Sequence, residues 1–392
     1  MAGTNATIEG RVNYSFLYYP DLAGDNKTKS YNLTPNVQSW THTTSMFGPQ
    51  TLIIKLAQKL DWLNSESKGF LVGQVGANEQ IVILALEKYN QTWNVVTDTP
   101  EIILEFKSIV ERDGIKLSKY FQGGLSEIIT AAYDVEYTRM NLKSYQPGLD
   151  FSIEPSIRGE PLWQFQSIPD YIKEARGYAI APDNSPVFIW HDLNRIRCHS
   201  AFSLLEQTPV SLVATTTEAA GKMISASTQQ GDSIVAYCVD YREEVAADIR
   251  KMHAQRNTRY IIPRTGGEQF MYSRHTALEE APTDVKVIYQ PQNIVDDTKN
   301  GIAVTLAEMW KTALSIGRAS VLMYNETAFL RPGTLVNIIM PDASKEYLVV
   351  MNATEGSAVN GFQTIYLLDT LEARRLLEEF QSIDSTTPVK QL

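Results

Sequence analysis

Cysteine is the rarest residue in this 392-residue chain, which contains only Cys198 and Cys238. Two cysteines are too few for a disulfide framework, which agrees with folding in a reducing compartment. Long apolar runs are also missing, because no stretch approaches the roughly 20 residues of a membrane-spanning helix. The first residues, MAGTNATIEGRV, lack the apolar core of a signal peptide. We therefore expect synthesis and folding in the cytoplasm, without membrane insertion by this chain.

Positive charge is in deficit. The chain has 35 Lys and Arg against 45 Asp and Glu, a net charge of −10. Proteins dedicated to nucleic acid cluster basic residues to displace counterions from phosphates, and no such stripe occurs here. The longest basic stretch, residues 250–259, directly follows an acidic one and is predicted to be a solvated helix face.

Catalytic signatures are scarce as well. The chain has no Gly-x-Ser-x-Gly elbow, CxxC or HExxH, and Cys198 has no recognisable activating context. RTGGEQF at residues 264–270 lacks the Gly-Lys-Ser/Thr ending of a phosphate-binding loop and is predicted to be a turn. Acidic pairs are abundant, but none is singled out as a glycosidase pair. We expect no enzymatic activity, no cofactor and no metal.

One segment concentrates reactive side chains. FIWHDLNRIRCHS contains His191, Asp192, Cys198 and His199, and its alternation predicts one long strand or a hairpin. In a single strand the two histidines would lie roughly 26 Å apart, too far to share a metal. A turn at residues 192–194 would bring them closer, but the remaining ligands would still be missing. We expect ordinary histidines on a half-exposed hairpin, and His191→Ala to leave assembly intact if that side chain faces water.

The first 110 residues are predicted to be mostly short strands with turns between them. VNYSFLYYP ends at Pro20, NVQSWTHTT and TLIIKLA flank a turn, GFLVGQVGANEQIVILAL is a hairpin around residues 76–78, and EIILEFKSIV closes the set. This spacing is typical of a sandwich or barrel.

The middle of the chain is predicted to be mixed. Helices are expected from Ser126 as an N-cap, at residues 168–175 and 242–253, and before Gly317 as a C-cap. Strands are expected in SLVATTT, DSIVAYCVDY, RYIIP, EQFMYSR and VKVIYQP.

The last 75 residues return to a strand pattern. SVLMYNE, TLVNIIMP, EYLVVMN and FQTIYLLDT are predicted to form an antiparallel meander. An amphipathic helix follows, and its apolar side is a candidate interface formed by Leu371, Leu376, Leu377 and Phe380. Such a helix packs on its own domain at least as often, and the remaining residues are expected to be a flexible tail.

Three stretches resemble the baseplate hub proteins of contractile-tailed bacteriophages. In SIPDYIKEARGYAIAPDNSPVFIWHDLNRI a helix leads through an Asp/Ser turn into that family's Phe-x-Trp-x-Asp strand, matched by Phe188, Trp190 and Asp192. EIILEFKSIV with GGLSEIITAAYD is similar to the end of the family's first barrel and its following helix. AFLRPGTLVNIIMPDASKEYLVVMNATE with TIYLLDT is similar to its final barrel. The first 50 residues match poorly.

The resemblance implies an α+β, β-rich fold with two similar antiparallel β-barrel (tube) domains and a mixed α/β middle region partly inserted in the second. The implied first barrel covers residues 1–111. The middle domain covers 112–207 plus 241–317, and the second barrel 208–240 plus 318–370. Residues 371–392 would form the C-terminal helix and tail.

The resemblance also implies a function. The chain would be a homotrimer whose six barrels form a pseudo-six-fold ring, adapting a trimeric spike to the six-fold tail tube or tube-initiator protein, with baseplate wedge proteins as further candidate partners. It would be located in the virion tail baseplate, after assembly in the host cytoplasm. DNA would pass without specific binding, so we expect a neutral to acidic lumen. The alternatives are a receptor-binding or adhesin virion protein and, less favoured, a cell-wall-degrading tail enzyme.

Overall fold

The computed structural model describes residues 14–20, 30–67, 69–75, 81–94, 99–108, 116–117, 124–139, 143–153, 156–157, 166–167, 179–182, 185, 187–215, 236–242, 259–263, 269–273, 285–287, 317–322, 330–357, 361–371, 373–374 and 377. Within them the strands are β1 (Tyr14–Tyr19), β2 (Tyr31–Asn32), β3 (Val37–Ser45), β4 (Thr51–Leu56), β5 (Phe70–Val75), β6 (Ile81–Asn94), β7 (Thr99–Ser108), β8 (Lys116–Leu117), β9 (Gly148–Phe151), β10 (Ser156–Ile157), β11 (Gln166–Ser167), β12 (Ala179–Ile180), β13 (Val187–Asp192), β14 (Arg195–Ser200), β15 (Val210–Ala214), β16 (Ala236–Arg242), β17 (Arg259–Pro263), β18 (Gln269–Ser273), β19 (Val285–Val287), β20 (Gly317–Leu322), β21 (Leu335–Ile339), β22 (Ser344–Ser357) and β23 (Gly361–Asp369).

Two α-helices with defined bounds accompany these strands, α1 (Leu125–Arg139) and α2 (Ala201–Leu205). Ser126 lies inside the first turn of α1 and does not cap it. The backbone N–H of Gly124 instead donates to the Glu127 carboxylate at 3.1 Å, which is the reciprocal half of a capping box. The cap prediction was therefore wrong by two residues. At α2, the Ser200 hydroxyl accepts from the Ser203 amide.

Seven strands of the N-terminal region form an antiparallel sheet in the order β2-β1-β5-β6-β7-β4-β3. The predicted hairpins β3–β4 and β5–β6 are confirmed. Their inward residues alternate along the strands, as at Leu52, Ile54 and Leu56 of β4. These side chains form the front core with Phe16, Leu33, Trp40, Leu71, Leu84, Leu104 and Phe106.

Six strands, β15 and β16 from the middle of the chain and four from its C-terminal part, pair in a closed ring that we call the back ring, in the order β22-β21-β15-β16-β20-β23-β22. The expected simple meander is wrong in one respect, because β20 pairs with β23 and not with β21. The difference has a physical reason: β15 and β16 fill the place between β21 and β20, and β15 pairs in parallel with both of its neighbours. Parallel partners require long crossover connections, which a local turn pattern does not reveal.

The two regions are parts of one sheet, because β22 belongs to both. Its first half pairs with β21 and its second half pairs with β3, while β23 lies along its other side. Gly356 of β22 faces Trp40 of β3, and a Cβ at Gly356 would overlap the indole ring. A glycine is therefore required for the two strands to approach here.

The predicted α+β, β-rich class is confirmed in its coarse form, a large mixed sheet with few helices in the described residues. The two-barrel detail and the domain boundaries stay predictions. The middle strands predicted at residues 259–287 are β17, β18 and β19 of a small separate sheet. Gly317, predicted as a C-cap, begins β20. The helices predicted at 168–175, at 242–253 and before Gly317 lie outside the described residues, apart from Arg242 itself, which ends β16.

Candidate functional site

The segment with the histidines is a hairpin, β13–β14, which we call the junction hairpin. All six residues of β13 are buried, so both faces of this strand pack against protein. Side chains alternate along a strand, so Val187, Ile189 and His191 share one face, whereas Phe188, Trp190 and Asp192 share the other. The hairpin alternative of the sequence prediction is confirmed, but the expected half-exposed position is wrong for β13.

The first face packs against α1. Val187 and Ile189 join Ile129, Ala132 and Tyr133 in a buried middle core that also contains Cys198. His191 is 6% exposed, and its Nε2 is hydrogen-bonded to the Tyr133 hydroxyl. His191 does not face water, so the condition under which we expected a neutral His191→Ala substitution is not met. Cys198 is a core residue of the middle region, and Cys238 is a core residue of the back ring.

The second face contacts both large regions. Phe188 packs edge-on against Phe47, beside β3, with ring centroids 5.8 Å apart. Trp190 lies against Gly333, where a Cβ would come within 2.7 Å of the indole Cζ2. Gly333 also has a φ of +89°, a conformation that glycine tolerates best. The turn at residues 331–333 is therefore a docking point for the hairpin.

Asp192 is the electrostatic centre of this face. Its Oδ2 accepts from Arg197 Nε at 2.7 Å and from Arg331 Nη1 at 3.4 Å, and the carboxylate is fully buried. Arg197 also lies 2.9 Å from Asp150. Burial lowers the pKa of Arg331, and the negative charge of Asp192 opposes this. A guanidinium nonetheless stays charged in proteins, so Arg331 from the C-terminal region and Arg197 from the hairpin together neutralise the Asp192 carboxylate.

Leu193 anchors the hairpin in the front core. It is 7% exposed and belongs to the same buried cluster as Trp40 and Leu52. Its φ is 55°, which is rare for a bulky side chain and costs on the order of 1–3 kcal/mol. This conformation directs the leucine side chain into the front core, and the burial of that side chain offsets the backbone strain.

A row of buried polar side chains crosses the joint between β3, β22 and β23, and we call it the polar seam. Thr44 Oγ1 donates to Asn352 Oδ1 at 2.5 Å, and Asn352 Nδ2 donates to the Leu330 carbonyl at 2.5 Å. Gln363 exchanges two hydrogen bonds with the Leu330 backbone. The seam consists of His42, Thr44, Asn352, Thr354 and Gln363.

His42 is the titratable member of the seam. Its Nε2 lies 2.9 Å from the Gln50 amide nitrogen, and both side chains are buried. Burial, with a smaller effect from the positive charge of Arg331, lowers the pKa of His42 to about 4. His42 is therefore neutral at neutral pH. Burial also lowers the pKa of His199, with Arg197 acting in the same direction and Asp150 against it.

The candidate interface residues differ in their exposure to solvent. Leu371 is 77% exposed, whereas Leu377 is 2% exposed and packs inward. Leu376 and Phe380 lie outside the described residues, as does the turn predicted within RTGGEQF. Arg374 of the same segment donates to the Leu205 carbonyl and contacts Glu346 at 3.2 Å.

The junction hairpin and the polar seam connect distant parts of the chain. Among the residues that the structure describes, no group of three or more His, Cys, Asp or Glu side chains could hold a metal ion. The same residues include no helix that is both long enough and apolar enough to span a bilayer. His42, Leu193 and Arg331 were not predicted as important from the sequence, because their roles depend on contacts with distant parts of the chain.

Comparison with solved structures shows which known proteins have a similar fold. No protein-family model and no curated protein matches the chain. A tail protein from Neisseria meningitidis MC58 is similar in structure with a TM-score of 0.53 at 10% identity, covering 91% of this chain and 96% of that one. The 43 kDa tail protein of prophage MuSo2 from Shewanella oneidensis has a TM-score of 0.52 at 12% identity, covering 92% and 99%. The chain therefore shares the fold of these two tail proteins over nearly its whole length.

Proposed function

We propose that this chain is a structural component of a phage tail, and specifically the hub of its baseplate. The observation that carries the proposal is the fold shared with two tail proteins over more than nine-tenths of the chain. The three stretches that resemble baseplate hub proteins support the hub assignment. Their described residues fall in β7 with α1, in Ser167, β12 and the junction hairpin, and in β21 to β23.

In this proposal the protein is a homotrimer. Each subunit contributes a front and a back β unit, so that three chains present six similar units to a six-fold tail tube and keep three-fold symmetry toward a trimeric spike. The continuous sheet through β3 and β22 supports this arrangement, since it holds the two units of one chain in a defined relation. The partners are the spike protein, the tube or tube-initiator protein, and baseplate wedge proteins.

The proposed ring has a channel that DNA passes through. A lumen rich in Lys and Arg would release counterions from the phosphates and retain the duplex, whereas a neutral or acidic lumen would not. The net charge of −10 supports this part of the proposal. The protein would act without cofactor or enzymatic activity, in the virion tail, after assembly in the host cytoplasm.

Three measurements on the full chain test the proposal. Light scattering should give three times the chain mass, and negative-stain images should show a ring with a central hole. Mixing with the cognate spike protein should give a larger complex. A monomer without a ring, or a ring that does not bind the spike, would contradict the hub assignment. An adhesin would instead bind host surface material, and a wall-degrading enzyme would clear cell-wall material in a zymogram.

A further inference from the structure

Four buried polar atoms on β3, β22 and β13 have no hydrogen-bond partner among the described residues. They are His42 Nδ1, Trp190 Nε1, Asp192 Oδ1 and Thr354 Oγ1. Buried polar groups are almost always paired, with protein or with ordered water, because an unpaired one pays its full desolvation cost. Four such atoms on three paired or contacting elements therefore need an explanation.

The first pair lies in the polar seam. His42 and Thr354 are opposite each other on the antiparallel strands β3 and β22, and both are buried. Directly opposed residues have Cβ atoms about 4.5–5.5 Å apart. The Gln50 amide nitrogen donates to His42 Nε2, so the ring proton is on Nδ1. Nδ1–H is thus a donor, and the Thr354 hydroxyl opposite can both donate and accept.

The second pair lies on the junction hairpin. Trp190 and Asp192 are two residues apart on one face of β13, and this face meets the 331–333 turn. The indole N–H can only donate, and the carboxylate oxygen can only accept. Arg331 connects the two pairs, because its guanidinium contacts Asp192 and its charge acts on His42.

We propose that a small cluster of buried water molecules binds between the polar seam and the junction hairpin and joins these four atoms. Water fits because the site presents N–H donors and oxygen acceptors together, and a water molecule needs two to four such partners. The positive charge of Arg331 disfavours a cation, and the Asp192 carboxylate disfavours an anion. This inference does not depend on the proposed tail function.

The consequence is an interface between these elements that contains ordered water. Front sheet, back ring and hairpin would meet through a hydrogen-bonded network that fixes their relative register, and not only through apolar packing. Such a network tolerates few arrangements, because each donor must find its acceptor.

A high-resolution crystal structure of the full chain tests the proposal directly. Water density within hydrogen-bonding distance of both His42 Nδ1 and Thr354 Oγ1, and of Trp190 Nε1 or Asp192 Oδ1, is the expected result. A direct hydrogen bond between His42 and Thr354, or apolar contact without water density, would overturn it.

The substitution Thr354→Val gives a second test that needs no crystal. If the Thr354 hydroxyl has no partner, replacing it with a methyl group of similar size removes an unsatisfied buried polar group. The unfolding midpoint would then be unchanged or higher. If the hydroxyl instead binds water, the substitution leaves that water molecule with one hydrogen-bond partner fewer. We therefore expect the unfolding midpoint to fall by roughly 1–3 °C. The matched control is Thr43→Val on β3, whose side chain is half-buried on the opposite face. An unchanged or raised midpoint relative to this control overturns the proposal.

Discussion

Arg331 Nη1 lies 3.4 Å from Asp192 Oδ2, across 139 residues of chain, and this ion pair joins the C-terminal turn to the middle hairpin. The Asp192 side chain is fully buried and that of Arg331 is 19% exposed. A pair in such a position depends on both members, because the loss of one leaves the other charged and poorly solvated.

We expect Asp192→Asn to destabilise the protein by about 3–5 kcal/mol, because it removes the buried carboxylate that both Arg331 and Arg197 contact. Chemical denaturation measures this loss. The control is Lys55→Met, which breaks the partly exposed pair with Glu101 and should cost less than about 1 kcal/mol. Equal effects of the two substitutions would show that the junction pair is no more important than a surface pair.

Gly333→Ala is expected to be clearly destabilising, by about 1–3 kcal/mol. The new Cβ would lie 2.7 Å from the Trp190 ring, and the φ of +89° would be strained for alanine. Gly148→Ala is the matched control, since no atom lies within 4 Å of its added Cβ. Thermal melting of both variants would contradict the docking role of Gly333 if their midpoints were the same.

Leu193 allows a comparison in which the usual order of two substitutions reverses. Removing a buried leucine side chain costs about 2–5 kcal/mol in either variant. Glycine elsewhere is less stable than alanine, but at a φ of 55° it relieves backbone strain. We therefore expect Leu193→Gly to be as stable as Leu193→Ala or more stable by about 1 kcal/mol, as measured by urea denaturation. A clearly more stable alanine variant would mean that the turn relaxes.

His42 makes stability depend on pH. Its pKa is about 4 in the folded protein and near 6.5 when unfolded, so the unfolded chain binds the proton first as pH falls. The contribution of neutral His42 to the free energy of unfolding is fully present above about pH 6.5 and is lost as the pH falls from about 6.5 to 4. It amounts to roughly 3 kcal/mol. Denaturation of the wild type and of His42→Gln across this range should show a smaller slope for the variant. Parallel curves would contradict this assignment.

The two described leucines of the candidate interface should behave differently. Leu377→Ala removes a buried side chain and should lower the unfolding midpoint. Leu371→Ser changes an exposed residue, so we expect unchanged stability but weaker self-association by sedimentation analysis. Wild-type association of Leu371→Ser would remove this residue from the interface.

Strand positions were predictable where hydrophobic alternation is local, as in β3, β4 and β21. The hairpin at residues 187–200 was predictable as one of two alternatives for the same reason. The partners of β15 and β20 were not predictable, because pairing between distant strands depends on how the whole sheet closes. The position of His191 was missed because Tyr133, its partner, lies 58 residues away on α1. Leu193 gave no signal, since a positive φ is expected at glycine or asparagine and not at leucine.

The shared strand β22 has a mechanical consequence. From Met351 to Ser357 it pairs with seven successive residues of β3, and these hydrogen bonds lie across the line of the strands. A pull along β3 therefore loads all of these pairs in shear at once, instead of opening them one after another. Force applied to one half of the chain would be transmitted to the other half with little extension of the β3–β22 pairing.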